Sequence, residues 1–204
     1  MIGIINYGLG NIKAFANIYN RLGIPFRIVS APDDLQSVAK IILPGVGAFD
    51  LAIQLLEKSG LRQSLDEIAL TRGLPVLGVC VGMQIMANSS QEGELSGLGW
   101  IAGEVKKFDP SKLTSATHLP HMGWNNVQPV LKNGLLKNMD SESRFYFLHS
   151  YYFHCRRNDD VLAVTDYGGP FASAIASGNI FGVQFHPEKS HQWGIQLLKN
   201  FAEM

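Results

Sequence analysis

The stretch LPVLGVCVGMQ, residues 74–84, decides the fold, because it runs an apolar segment straight into a cysteine held between glycines. LPVLGV has the length and the valine and leucine content of a buried strand that ends in a turn. A cysteine serving only to pack would sit inside that run, whereas Cys80 sits at its end, where the chain must turn sharply. Gly78 and Gly82 have no side chains, so the turn can close and a small molecule can approach the backbone. With a helix beginning near Met83, the pattern is a strand, a nucleophile on a tight turn, then a helix: the nucleophile elbow. Free N–H groups at the start of that helix favour negative charge on the sulfur. The competing reading is an inert thiol in a strand-to-helix turn.

Upstream of the elbow, IGIIN (2–6), FRIV (26–29) and KIILP (40–44) read as further short strands. IKAFANIYNRLG (12–23) has helical spacing ended by Gly23, and LAIQLLEKSG and LRQSLDEIALTRG repeat apolar residues three and four apart. This alternation predicts a parallel sheet covered by helices on both faces. Downstream, WNNVQPV, RFYFLHSYYF, DDVLAVTDYG, FASAIASGN and IFGVQFH are strand-like runs between turn residues, and GIQLLKNFAE closes the chain as a helix. They are expected to add antiparallel or mixed strands to the parallel core. No linker-like segment separates the halves, so residues 1–204 are expected to form one domain, with EVKKFDPSKLTSATHLPH (104–121) as a surface loop.

The 204 residues carry 17 Lys plus Arg and 17 Asp plus Glu, a formal net charge of zero, with no tract of five like charges. That balance argues against nucleic acid or an anionic membrane as partner. No basic leader opens the chain and no eighteen apolar residues run together, so a soluble, cytoplasmic protein is expected. Cys80 and Cys155 read as separate thiols, Cys155 as a strand residue without a catalytic role. His118, His121, His154 and His191 show no zinc-ligand spacing with either cysteine, and no metal site is expected. NYGLGNIK follows a strand and opens a helix, but Lys13 fills the third glycine position of GxGxxG, so no dinucleotide cofactor is expected.

A thiol nucleophile in acyl transfer needs a base, and the base needs an orienting acceptor. VQFHPEKS places His186 at a strand end, with Pro187 stiffening the exit and Glu188 two residues on, on the same side of an extended segment. Strand ends on one edge of a parallel sheet converge on one crevice, so Cys80 and His186 can meet. In LPGVGAF, a strand ending at Leu43 leads into Gly45, Val46 and Gly47, whose backbone N–H groups, with that of Val81, can form an oxyanion hole. The plain alternative is a glycine turn between strand and helix.

GVCVGMQ, with PGVG upstream and VQFHPEKS downstream, resembles the triad, or class I, glutamine amidotransferases. NYGLGN, LPGVGAFD, PHMGWN, FYFLHSYYF and QFHPEKS with GIQLLKNF narrow the resemblance to the glutaminase subunits of imidazole glycerol phosphate synthase, in matching order from about residue 2 to residue 201. The resemblance implies an α/β, flavodoxin-like three-layer sandwich with a mostly parallel central sheet and added antiparallel strands. It implies that Cys80 attacks the side-chain amide of glutamine, His186 moves protons and Glu188 orients His186, giving a glutamyl thioester, ammonia and glutamate, without a cofactor. Gly82, Gln84, His149, Ser150 and Tyr151 match positions that hold glutamine in that family. Gln84 also lies one helical turn from Cys80 on the same face.

The implied partner is a (β/α)8-barrel cyclase that takes the ammonia and converts PRFAR into imidazole glycerol phosphate and AICAR in histidine biosynthesis. Asn11, Trp124 and Lys189 match positions facing it. Three departures, Asn6-Tyr7, Ala14-Phe15 and Val81, leave the triad intact and resemble a paralogous group that supplies ammonia for surface-polysaccharide sugars. A non-catalytic regulatory subunit is the remaining alternative, against which stand three competent triad residues.

Overall fold

The computed structural model describes residues 1–113, 117–131 and 134–204. The first half alternates as the sequence predicts: β1 (Ile2–Ile5), α1 (Ile12–Leu22), β2 (Phe26–Val29), β3 (Lys40–Gly45), α2 (Phe49–Lys58), α3 (Arg62–Asp66) running on through a π turn, β4 (Val76–Cys80) and α4 (Val81–Gln84). The second half supplies β5 (Ser89–Ser90), β6 (Gly103–Lys107), β7 (His121–Asn126), β8 (Gln128–Pro129), β9 (Arg144–His149), β10 (Tyr151–Cys155), β11 (Val161–Asp166), β12 (Pro170–Ser177), β13 (Ile180–Val183) and α5 (His191–Glu203).

The main sheet has eight strands in the order β2-β1-β3-β4-β13-β12-β11-β8. From β2 to β13 neighbouring strands are parallel, in the 2-1-3-4-5 order of flavodoxin-like folds, and the last three pairings are antiparallel. The result is a three-layer α/β sandwich. β1, β4 and β13 are buried along their whole length, which is why they read as unbroken apolar runs without alternation. Phe15 and Tyr19 of α1, Phe49 and Leu56 of α2, and Leu197, Leu198 and Phe201 of α5 fill the core against them. Gly23 ends α1 in the left-handed region at φ 66°, and its N–H and that of Ile24 return to Asn20 and Tyr19 carbonyls. Lys40 places its ammonium on the carbonyls of Phe201 and Ala202, at 3.1 and 2.7 Å, so a cation sits at the negative end of α5.

Four details differ from the sequence expectation. β3 does not end at Leu43 but runs through Pro44 to Gly45, which pairs with Cys80. The helix after the elbow starts at Val81, two residues before Met83, and is only four residues long, so it has little dipole to offer; what remains is its free N–H groups. RFYFLHSYYF is two strands broken at Ser150: β9 pairs with β7 and β10 with β6, in two small sheets apart from the main one. The expected loop 104–121 contains most of β6, and His121 begins β7; residues 114–116 of that stretch lie outside the described residues. Among the described residues, no helix is long and apolar enough to cross a membrane, both cysteines are free, and no cluster of potential metal ligands occurs.

Candidate active site

The carboxyl ends of β3, β4 and β13 meet at one edge of the parallel sheet, where flavodoxin-like folds open a crevice. Cys80 ends β4 at φ 55°, a conformation that costs an L residue energy and that holds the thiol on an elbow. The elbow closes because α4 lies backbone to backbone on the end of β3. A Cβ on Gly82 would run into the Leu43 carbonyl, one on Gly45 would run into the Gly82 N–H, and one on Gly78 would come within 2.7 Å of the Gly82 carbonyl. These glycines are therefore required by packing.

His186 follows β13, and its ring Nδ1 lies 2.9 Å from Glu188 Oε1, with both side chains almost wholly buried. The segment is fastened to β9 from both sides: the His186 N–H donates to the Tyr146 carbonyl, and Ser190 Oγ accepts from the Tyr146 N–H while donating to the His186 carbonyl. Burial alone would lower the basicity of His186, but its hydrogen bond with Cys80, that with Glu188 and the charges of both raise its pKa to about 10.

A cavity of about 270 Å³ opens over Cys80 and His186. That is at or below the roughly 300–1,000 Å³ of pockets for drug-sized ligands, and suits a molecule the size of an amino acid. Val46, Gly47 and Val81 form one wall, so three of the four expected oxyanion positions face the cavity; Gly45 lies in the strand behind. Of the other expected residues, Gln84, His149, Ser150, Tyr151 and Lys189 also line it, whereas Gly82 serves the elbow and does not. Of the expected partner-facing residues, Trp124 is 39% exposed and stacks flat on His191 at 5.1 Å, Lys189 lies over the Tyr146 ring, and Asn11 is exposed at the start of α1.

The arrangement contains three residues that the sequence reading did not single out for the site. Gln184, wholly buried, donates from Nε2 to Cys80 Sγ at 3.8 Å and accepts from Gln84 Nε2 at 3.0 Å. A lone amide in the apolar run FGVQF is the signal that could have found it. Glu92 lines the cavity while accepting the Phe49 N–H at the start of α2 at 2.9 Å; burial holds its carboxyl above the usual range against that hydrogen bond. His121, read as a loop residue, is directly opposite His149 across β7 and β9, and the two rings bond at 3.0 Å.

The family model for class-I glutamine amidotransferases matches residues 3–204. The chain is 52% identical, over the full length of both, to the imidazole glycerol phosphate synthase subunit HisH of Bdellovibrio bacteriovorus, and equally to that of Leptospira interrogans. Against HisH 2 of Methanococcus maripaludis it is 44% identical over 100% of this chain and 99% of that one. Among solved structures, a glutamine amidotransferase superposes with TM-score 0.76 at 17% identity, covering 100% of this chain and 99% of the other. PurLQS from Thermotoga maritima gives 0.74 at 16%, covering 99% and 97%. At such identities the superpositions speak for the fold.

Proposed function

Since the chain belongs to the class-I glutamine amidotransferase family, we propose that it is the glutaminase subunit of an imidazole glycerol phosphate synthase, acting as one domain in the cytoplasm. The observation that carries the chemistry is the alignment of Cys80, strained on its elbow, with the buried His186–Glu188 pair over a cavity for one small molecule. Full-length identity to HisH subunits supports the pathway.

In this reading glutamine enters with its side-chain amide over Cys80. The half-buried carboxylate of Glu92 suits its ammonium group, and Lys189, which also lines the cavity, suits its carboxylate. Cys80 Sγ forms a bond to the amide carbon with the proton already held on His186 Nε2, as the raised pKa of that ring requires, while Glu188 holds the Nδ1–H side of the ring. Negative charge on the amide oxygen meets N–H groups of Val81 and the Val46–Gly47 backbone, donors each worth roughly 3 kcal/mol in such sites. The tetrahedral adduct collapses by breaking the C–N bond; His186 gives its proton to the leaving nitrogen, and ammonia departs from the thioester. Water, deprotonated by His186, then splits the thioester to glutamate, the C–S bond breaking to free the sulfur with the proton back on His186.

Ammonia released into water at neutral pH would be protonated and lose its nucleophilicity, so delivery to a second subunit is the useful outcome. A barrel cyclase would use it to turn PRFAR into imidazole glycerol phosphate and AICAR. An apolar patch beside the cavity mouth supports a docked partner: Met122 and Trp124 of β7 lie opposite Leu148 and Tyr146 of β9, and Met122, Trp124 and Leu148 are all exposed. The test is glutamate release from glutamine by the chain with and without the cyclase of the same cell and PRFAR, with Cys80→Ala as blank. Stimulation by cyclase and PRFAR that vanishes in Cys80→Ala is expected; glutamine turnover that survives Cys80→Ala would sink the triad, and indifference to the cyclase would sink the pathway.

A further inference from the structure

We propose that His121 is a positioning residue: with His149 it forms a buried pair of neutral imidazoles whose fixed tautomers clamp the Ser150 corner of the cavity. The role rests on the glutaminase reading above.

The hydrogen bonds leave no freedom in the pair. At one end His149 Nδ1 is 2.8 Å from the Tyr151 carbonyl, which can only accept, so Nδ1 carries the proton and Nε2 a lone pair. That lone pair accepts from His121 Nδ1 at 3.0 Å, which leaves His121 Nε2 as an acceptor for Asn125 Nδ2 at 3.3 Å. At the other end the Asn125 amide is itself oriented by backbone: Nδ2 donates to the Asp166 carbonyl at 3.0 Å and Oδ1 accepts the Asn126 N–H at 2.8 Å. Read from either end, the chain requires the same two tautomers. A proton added to either ring would set N–H against N–H, and burial accordingly pushes the pKa of His121 down to about 4; that of His149 is pushed down to about 3 by burial and then by His121.

Aromatic rings hold the plane of His121. Phe147 stacks at 4.6 Å and 19°, and Tyr167 at 3.9 Å and 21°. The far end of the chain reaches the site: the Tyr151 carbonyl that accepts from His149 also accepts from Gln84 Nε2 at 3.0 Å. Ser150, between β9 and β10, is thus held between two residues tied into one network. It follows that both ring nitrogens of His149 are committed to protein, so its part in holding glutamine is to fix Ser150 and Tyr151.

Two variants separate bonding from stacking. His121→Phe keeps an aromatic ring between Phe147 and Tyr167 but cannot donate, whereas His121→Asn can donate from the Nδ1 position but cannot stack. Glutamine turnover is measured for the chain together with its cyclase, and imidazole ¹⁵N spectra are recorded on the chain. The spectra should show two neutral imidazoles protonated at Nδ1, one of which is missing in His121→Phe. Removing one neutral donor should raise KM for glutamine about five- to tenfold in His121→Phe with kcat within about twofold, and His121→Asn should recover most of the loss. Unchanged KM in His121→Phe, or protons on Nε2 of the pair in the wild type, overturns the proposal. If His121→Phe fails to fold, the wild-type spectrum and the kinetics of His121→Asn decide. Absence of glutamine turnover in the wild type brings down the glutaminase reading and the positioning role with it, whereas turnover with His121→Phe unaffected removes the positioning role alone.

Discussion

Gln184 points its amide N–H at the sulfur of Cys80, 3.8 Å away, while its carbonyl oxygen holds Gln84 at 3.0 Å. One side chain therefore ties nucleophile and cavity wall together, and a neutral donor beside the sulfur favours negative charge on it. In Gln184→Ala, Gln84 Nε2 loses one of its two acceptors, the other being the Tyr151 carbonyl. A buried donor left unpaired costs roughly 1–3 kcal/mol, so the variant should be less stable by about that amount and should lose about tenfold in kcat/KM. Denaturant unfolding and steady-state kinetics test both parts; wild-type kcat/KM in a destabilised variant would reduce Gln184 to a packing residue.

The Glu188→Gln variant keeps an acceptor for His186 but removes the charge. Glu188 is one of the groups that raise the pKa of His186 to about 10. A raised pKa keeps the ring protonated until pH climbs through that value, so removing the carboxylate lowers the pKa and the proton is lost earlier. The alkaline limb of the rate profile should move to lower pH, and kcat/KM near neutrality should fall about 10²-fold. A pH profile identical to wild type would show that Glu188 does not act through His186.

The parallel half of the fold was legible because β1, β3 and β4 are covered on both faces, so burial writes itself into the sequence as continuous apolar runs. Cys80 was legible through punctuation, since a thiol between glycines at the end of such a run has no packing explanation. The pairings of the second half were not. RFYFLHSYYF gives no local sign that Ser150 breaks it, because the break exists only once β9 pairs with β7 and β10 with β6, strands up to 52 residues away. His121 stayed hidden for the same reason: its bond to His149 follows from that pairing, and its stack on Tyr167 from packing against the segment after β11. Glu92 lies outside any helix or strand, where a carboxylate carries no local signal of burial.

Gly82→Ala tests the elbow. Its Cβ would collide with the Leu43 carbonyl, a backbone atom that cannot swing aside. Either α4 lifts from β3 or β3 shifts in the sheet, and both move Cys80 and the Val46–Gly47 wall. A loss of about 3 kcal/mol or more in unfolding free energy is expected, with glutaminase activity abolished. Wild-type stability would mean that the α4–β3 contact is looser than the geometry indicates.

Acid should unfold the protein partly through the histidine pair. Free imidazole titrates near 6.5, whereas His121 and His149 in the folded chain are held down to about 4 and about 3. Between those values the unfolded chain binds protons that the folded chain refuses, so stability is full above about pH 6.5 and lost as pH falls. Melting temperatures from about pH 7.5 down to about pH 4.5 should fall more steeply in wild type than in His121→Phe, which has one such group fewer. Equal slopes would exclude the pair as a source of acid sensitivity.

The outer face of the β7–β9 ribbon predicts how the partner is held. Residues alternate across a strand, so His121, Phe145 and Phe147 face the core while Met122, Trp124 and Leu148 face outward, 59%, 39% and 38% exposed. Trp124 lies flat on His191 with 5° between the rings and takes Tyr146 edge-on, so it is already ordered and loses little entropy on docking. A rigid aromatic anchor in an exposed apolar patch has the character of a binding hot spot, so Trp124→Ala should weaken association with the cyclase by about 2 kcal/mol, roughly 30-fold in Kd. Because the indole is outside the core, the melting temperature should change little. Calorimetric titration with the cyclase subunit measures the loss, and undiminished affinity would move the interface to another face of the molecule.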